Sequence, residues 1–420
     1  MLTLSGMIVE NIGADYINTY LRSKKYVRTE EQEGKDVEYW VNDLIEQELF
    51  DLEDFEKFLF EELFWGKRKS IRFYKLDSVY KLKKTDEWLG KLREKYNVES
   101  LQFMNIMTTI PSSGNRWRIA AVSSNKDRRG DLEKIGILFV AYVEVSGERQ
   151  TKSTIAYYPV EIDLKRKLMV IKAWNRQGLY EEYRAEERLD HIASTLSLGF
   201  GVKTIHFMAN HKKTLHNMSK GLVTEVYNKI PAFKQIGDLE NAIQMFQQEV
   251  LKKLALKNVE VQDDGRSLGK NIFDFEDEVK KILEKLCISD YFYDIPYDEI
   301  WNMGVKTIVS KIKFKDLEHV LTILSSEASE APIFCTKTFL SLKKSLEDAK
   351  LVERLWIEHD RIHGRLKLSY DATKEEYLEM KILSNIRFIQ NDLITAEEIY
   401  SSYARSTNGE VKSGNQRDAV

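Results

Sequence analysis

Ile135-Gly-Ile-Leu-Phe-Val-Ala-Tyr-Val-Glu-Val145 decides the fold class. Eleven residues rich in β-branched and aromatic side chains, with no helical spacing among them, read as a strand. Three further stretches have the same character: Trp117-Arg-Ile-Ala-Ala-Val-Ser123 before it, and Thr154–Asp163 and Lys167–Trp174 after it. The connections carry turn chemistry, namely Pro111-Ser-Ser-Gly-Asn115, Arg128-Arg-Gly-Asp131 and Ser146-Gly-Glu148. Strands joined by such short turns predict an antiparallel meander over residues 100–180. Pro159 lacks a backbone N–H, which predicts an edge strand or an irregular start for its segment.

Helical spacing surrounds this sheet. Tyr39-Trp40, Leu44-Ile45, Phe55, Phe58-Leu59 and Leu63-Phe64 recur every three or four residues with acids between them, as on an amphipathic helix. Asp51 or Asp54 suits an N-cap, and Gly66 is placed as a C-terminal glycine followed by Lys67, Arg68 and Lys69. Ser70-Ile-Arg-Phe-Tyr-Lys-Leu76 alternates like a short strand, and Thr85–Tyr96 returns to helix. Residues 206–229 and 239–256 are the clearest helices after the sheet. Beyond the polar stretch 260–269, the predicted order is helix 274–286, strand 306–314, helix 338–349, a hairpin over 352–370 and a strand 376–382. The expected organisation is an α+β chain with a helical N-terminal region (1–99), a central antiparallel β-sheet domain (100–180), a helical segment (181–260), a small α/β C-terminal domain (270–405) and a disordered tail (406–420).

A length of 420 residues favours more than one core. The 64 basic and 67 acidic side chains nearly cancel, so bulk charge does not select a polyanionic partner. Their distribution is uneven. Eleven acids oppose one base between Asp36 and Glu62, whereas eleven bases oppose four acids between Lys67 and Lys95. Two solvated faces that neutralise each other explain that pattern. Cys287 and Cys335 lie among apolar neighbours, which fits a reducing, cytoplasmic setting. No signal peptide, membrane span or membrane partner is expected.

The acids that invite a chemical role are Glu161 and Asp163, followed by Lys165. Two carboxylates and a lysine at the end of a strand are the constellation with which metal-dependent nucleases hold Mg²⁺ and orient water. Glu144 on the preceding strand is the candidate for a further carboxylate. A solvated hairpin turn accounts for the same residues. His206, His211 and His216 are spaced five apart and cannot share one helix face. Leu198-Gly-Phe-Gly-Val202 lacks the third glycine of a dinucleotide site, and no phosphate-binding P-loop is present. No metal site and no cofactor are expected, and a non-catalytic role is favoured over an enzymatic one.

Basic residues interleaved with aromatics recur: Lys67, Arg68, Lys69 and Arg72 before and within the strand at 70–76, Arg116 and Arg118 flanking Trp117, and Arg128 and Arg129 in a turn. Loops of this kind gathered at one end of a sheet would neutralise phosphates, with Trp117 available for stacking. Near the C-terminus, helix 338–349 with Lys343 and Lys344 precedes a hairpin tipped by Arg361, His363 and Arg365. In the order of its elements this segment resembles a winged helix, which implies DNA contact through helix and wing, although Glu347 and Asp348 oppose it. The leading expectation is a cytoplasmic nucleic-acid-binding protein, with service as a subunit of a bacterial antiviral-defence or mobile-element assembly as its background. Mg²⁺-dependent nuclease action by Glu161, Asp163 and Lys165 is one alternative. A protein-interaction scaffold docking through the acidic, aromatic-rich segment 36–64 is the other.

Overall fold

A computed structural model of the chain describes residues 2–111, 117–146, 151–207, 210–255, 275–293, 296, 298–315, 320–325, 332–362, 364–384 and 388–414. The chain is α+β and divides into two compact units, Met1–His211 with Leu368–Arg405, and Lys212–Lys367 with Ser406–Val420.

The first unit begins with α1 (Gly6–Ile12), α2 (Ala14–Ser23), α3 (Val37–Glu46) and α4 (Leu52–Phe64). The side chain of Asp51 caps α4 by accepting from the Asp54 N–H, as the sequence suggests. Gly66 permits a close backbone approach: a Cβ there would lie 2.5 Å from the Glu62 carbonyl oxygen. There follow β1 (Ser70–Leu76), α5 (Thr85–Tyr96), β2 (Phe103–Met104), β3 (Arg118–Lys126), β4 (Leu132–Ser146), β5 (Thr151–Asp163), β6 (Leu168–Ala173), α6 (Ala185–Phe200) and β7 (Thr204–Ile205). The predicted meander is therefore present, and each of its four strands matches its sequence segment to within a few residues.

In the second unit the elements are α7 (His211–Tyr227), α8 (Pro231–Lys234), α9 (Glu240–Lys253), α10 (Phe275–Tyr291), α11 (Glu299–Asn302), β8 (Thr307–Lys315), β9 (Leu321–Ser325), α12 (Lys337–Ala349), β10 (Val352–Arg361) and the start of β11 (Gly364–Asp371). Strand β8 lies between β9 and β10, antiparallel to both. Phe314, Phe334, Val352 and Leu355 form its core, and the Tyr227 hydroxyl donates to the Phe334 carbonyl over 2.9 Å. Helix α12 precedes the β10–β11 hairpin, the order of elements expected from the sequence. Lys343 is nevertheless committed to Glu284 at 2.6 Å, which draws it away from a DNA-facing role. The chain then returns to the first unit with the end of β11, β12 (Tyr377–Ile382) and α13 (Gln390–Gly414). Helical structure thus reaches residue 414, beyond the 406 at which a disordered tail is expected from composition. The polar boundary segment 260–269 lies outside the described residues.

The sheet of the first unit runs β2-β3-β4-β5-β6-β1-β12-β11, antiparallel at each pairing, with β7 added beside the end of β1. β1 is thus an interior strand, paired to β6 through Phe73 opposite Val170 and to β12 through Phe73 opposite Leu378. Within the sheet, β1 is the strand that joins the meander to β12. One face of the sheet packs against α5 and α6, with Trp88, Leu92, Leu189, Ile192, Leu196 and Phe200 on Ile135, Ile137, Val160 and Ile162. The opposite face carries Glu161 and lies against α4 and the start of α13. Burial on both faces explains why Ile135–Val145 is apolar almost throughout instead of alternating.

Pro159 corrects the sequence expectation. β5 is an interior strand, and Pro159 stands opposite Leu138 of β4. Pairing with β6 starts one residue later, at Val160 opposite Ile171. The missing N–H therefore falls where that ladder has ended and costs no strand hydrogen bond.

His211 closes the unit against α13. Its Nδ1 lies 2.8 Å from the Tyr400 hydroxyl, and its ring stacks on Phe207. Burial lowers its pKa to about 4 from the ordinary 6.5. The unfolded chain therefore takes up a proton at this residue before the folded chain does, so stability falls as pH drops from 6.5 towards 4. The expected loss is on the order of 3 kcal/mol. Urea titrations across that window are expected to show it for the wild type and to show a flatter profile for His211→Phe.

Candidate functional site

The segment from Lys67 to Arg72 reads as an exposed basic patch, and the fold overturns that. It is the lead-in to an interior strand, so its side chains enter buried layers where each cation requires oxygen partners. Arg68 is wholly buried and donates to the Asn11 carbonyl and side-chain oxygens at 2.9 and 3.0 Å. Burial lowers its pKa to about 9, still charged at neutral pH. Arg72 is 2% exposed and ion-paired with Asp190 and Glu379. Lys67 donates to the Glu10 carbonyl at 2.9 Å and lies over Trp174, and Lys69 donates to the Ser384 carbonyl. Arg68 and Arg72 are thus enclosed, whereas Lys67 and Lys69 are half-buried and held by backbone carbonyls.

The remaining expected cations divide between the ends of the sheet. Arg118 is exposed at the start of β3, and Arg128 and Arg129 are exposed just past its end. The strand between them is about 26 Å long at roughly 3.3 Å per residue. Arg118 therefore belongs to a different region, and Trp117 beside it is engaged by His191, Tyr158 and Arg188. Arg116 lies outside the described residues.

Register brings a different set together. Lys126 pairs with Leu132, Lys134 with Asp163, and Asp163 with Leu168, so the β3–β4 and β5–β6 turns emerge at one end of the sheet. Lys126, Arg128 and Arg129 on the first turn and Lys165, Arg166 and Lys167 on the second are all exposed. Lys75 at the end of β1 joins them, because it stands opposite Leu168. Two acids of these turns are spent on local backbone. Asp127 accepts from the Arg129 and Asp131 N–H groups, and Asp163 accepts from the Arg166 N–H at 2.8 Å. Glu133 lies 3.9 Å from Lys165, and Arg166 is paired with Glu397.

The acids proposed to bind Mg²⁺ do not converge. Glu161 is opposite Gly136, and Glu144 lies eight residues farther along β4, roughly 26 Å away. Glu161 is bound to Lys134 at 2.8 Å, while Asp163 caps its turn and Lys165 is exposed. Among the described residues, no three His, Cys, Asp or Glu side chains are grouped to hold a metal ion. Of the aromatic residues of segment 36–64, Trp40, Phe55, Phe60 and Phe64 are buried, Phe50 and Phe58 are half-buried and Tyr39 is exposed.

Glu161 does line a cleft beside the basic turns. Phe60, Phe64 and Trp65 form one wall, Ser123, Ser124 and Asn125 another, and the Lys134–Glu161 pair and Gln390 complete it around about 170 Å³. Gly136 keeps the floor open, since a Cβ there would lie 2.7 Å from the Ser123 hydroxyl oxygen and 3.3 Å from the Phe64 ring. A second cavity of about 190 Å³ shares Trp65, Lys134, Glu161 and Gln390 and extends to Asp163 and Arg166.

Lys172 lies beneath this cleft. It follows Val170, the partner of Glu161, by two residues and so shares its sheet face. It is fully buried, with its Nζ 3.2 Å from the centre of the Trp65 ring and 4.1 Å from that of Phe64. Among the described residues, no hydrogen-bond acceptor reaches that nitrogen. Burial drives its pKa well below the ordinary lysine value, Glu161 opposes the shift, and Lys134 and Arg68 add to it.

Because Lys172 loses its proton more readily folded than unfolded, it disfavours folding at neutral pH, and the penalty shrinks as pH rises towards about 10.4. Lys172→Met keeps the volume and removes the amine. Thermal and urea unfolding are expected to show the variant more stable by about 1–3 kcal/mol at around pH 7, with the gap narrowing in alkaline buffer. No protein-family model matches this sequence, and no curated protein matches it either.

Proposed function

We propose that the first unit binds the phosphate backbone of nucleic acid through the β3–β4 and β5–β6 turns, without performing chemistry on it. The supporting observation is the placement of six exposed cations on two neighbouring hairpin turns. β4 and β5 are paired directly, so the turn centres are about two strand spacings apart, roughly 10 Å. Strand ends fix the positions of both turns, and two of the nearby carboxylates are occupied with backbone N–H groups. Such an arrangement neutralises several phosphates at once and releases their counterions, which ties affinity to salt concentration. The mixed charge of the surrounding loops, including Asp77, Glu375 and Glu376, keeps the footprint small.

Fluorescence anisotropy with labelled single- and double-stranded DNA and RNA over a salt series tests this. Wild-type affinity is expected to fall steeply with salt. The variant Arg128→Ala/Arg129→Ala/Lys165→Ala/Lys167→Ala is expected to bind about tenfold more weakly or worse, with a slope reduced by about 0.7–0.9 for each phosphate that is no longer neutralised. Arg118→Ala, at the far end of β3, is expected to behave as wild type. Absence of salt-dependent binding at low ionic strength overturns the proposal.

A further inference from the structure

The cleft beside the basic turns has a wall chemistry that phosphate contact does not explain. Its aromatic side is Phe60, Phe64 and Trp65, and its polar side offers hydroxyls and amides from Ser123, Asn125 and Gln390. Glu61 and Glu161 stand against Lys134, so the cleft has no excess of positive charge to hold a free anion. An aromatic wall opposed by amide donors and acceptors is the combination that receives an unstacked base. The cavity that adjoins it reaches Arg166, which belongs to the β5–β6 turn. A strand whose phosphates lie on that turn is therefore positioned to place a neighbouring base in the cleft.

From this geometry we infer that the cleft between α4, the ends of β3–β5 and the start of α13 is a nucleobase site, occupied by an unstacked base of a single-stranded nucleic acid. The inference rests on the phosphate-binding proposal for its orientation, and it adds a preference for single strands over duplex. Asn125 and Gln390, both exposed at the cleft, are the residues that meet the base edge. Gly136 is required because a side chain there would fill the floor.

Two strands of equal length separate the contributions of base and phosphate: a deoxyoligonucleotide nonamer and an all-abasic deoxyribose-phosphate nonamer. The full-length wild type is expected to bind the base-bearing strand about tenfold more tightly or better. In Asn125→Ala/Gln390→Ala that ratio is expected to approach one, with abasic binding unchanged. Equal wild-type affinity for both strands overturns the base site and leaves phosphate binding standing. If neither strand binds, phosphate binding fails, and calorimetric titration with adenosine, cytidine, guanosine and uridine decides the cleft by itself. Saturable heat from at least one nucleoside, reduced in both Asn125→Ala/Gln390→Ala and Gly136→Ala, supports a base site. No saturable heat from any of the four overturns it.

Discussion

The first unit depends on the ladder that holds β1 between β6 and β12. An interior strand has no solvent-facing side when helices cover both faces of its sheet, so every residue near it must be buried or satisfied. Ile71 and Phe73 meet this by apolar packing. Arg68 and Arg72 meet it by hydrogen bonds and ion pairs, at positions where water is excluded. Removing one partner would leave an uncompensated charge in the core, which costs far more than an exposed pair contributes. The same ladder recruits distant sequence into the site: α4 approaches on the N-terminal side of β1, and α13 follows β12.

Local patterns in the sequence carry the fold a long way. The four meander strands, the helices 240–253 and 337–349, and strands β8, β10, β11 and β12 are all visible as composition and period, because each responds to burial of its own side chains. The place of β1 is not visible, because its partner β12 lies far along the chain and no local pattern encodes a non-local pairing. Its cations mislead for the same reason: Lys67–Arg72 reads as a basic cluster until the ladder places it inside. Short strands such as β2 and β7, two residues each, leave too little periodicity to detect.

The cleft is legible in part. Glu161 and Asp163 stand out as a carboxylate pair at a strand end, and they do lie beside a cavity, but their partners differ from those that metal chemistry requires. Lys134 neutralises Glu161, and a backbone N–H occupies Asp163. Lys172 leaves a trace, since a lysine within Leu168–Ala173 interrupts an otherwise apolar strand. Its parity with Val170 places it on the α4 face, although only the fold shows that Phe64 and Trp65 cover it. Trp65 and Gln390 give no signal, because they come from segments that meet only through β1 and β12.

The contrast between the two basic groups follows from distance to the end of a ladder. Cations inside it, such as Arg72 and Lys172, are enclosed, and their charge is absorbed by carboxylates or suppressed by desolvation. Cations at or past its last pairs, such as Lys126, Arg128, Lys165 and Lys167, keep their hydration and remain available to a diffusing polyanion. The number of bases in a run cannot distinguish Lys67–Arg72 from Lys165–Lys167, since both are dense in sequence. A basic run in an α+β chain therefore bears on nucleic-acid contact only after the register of the nearest strand is known. In this chain the register withdraws Lys67, Arg68, Lys69 and Arg72 from the residues that composition nominates. It brings forward Lys126 beside Arg128, and Lys165, Arg166 and Lys167 on a turn where the neighbouring acids are the more conspicuous feature of the sequence.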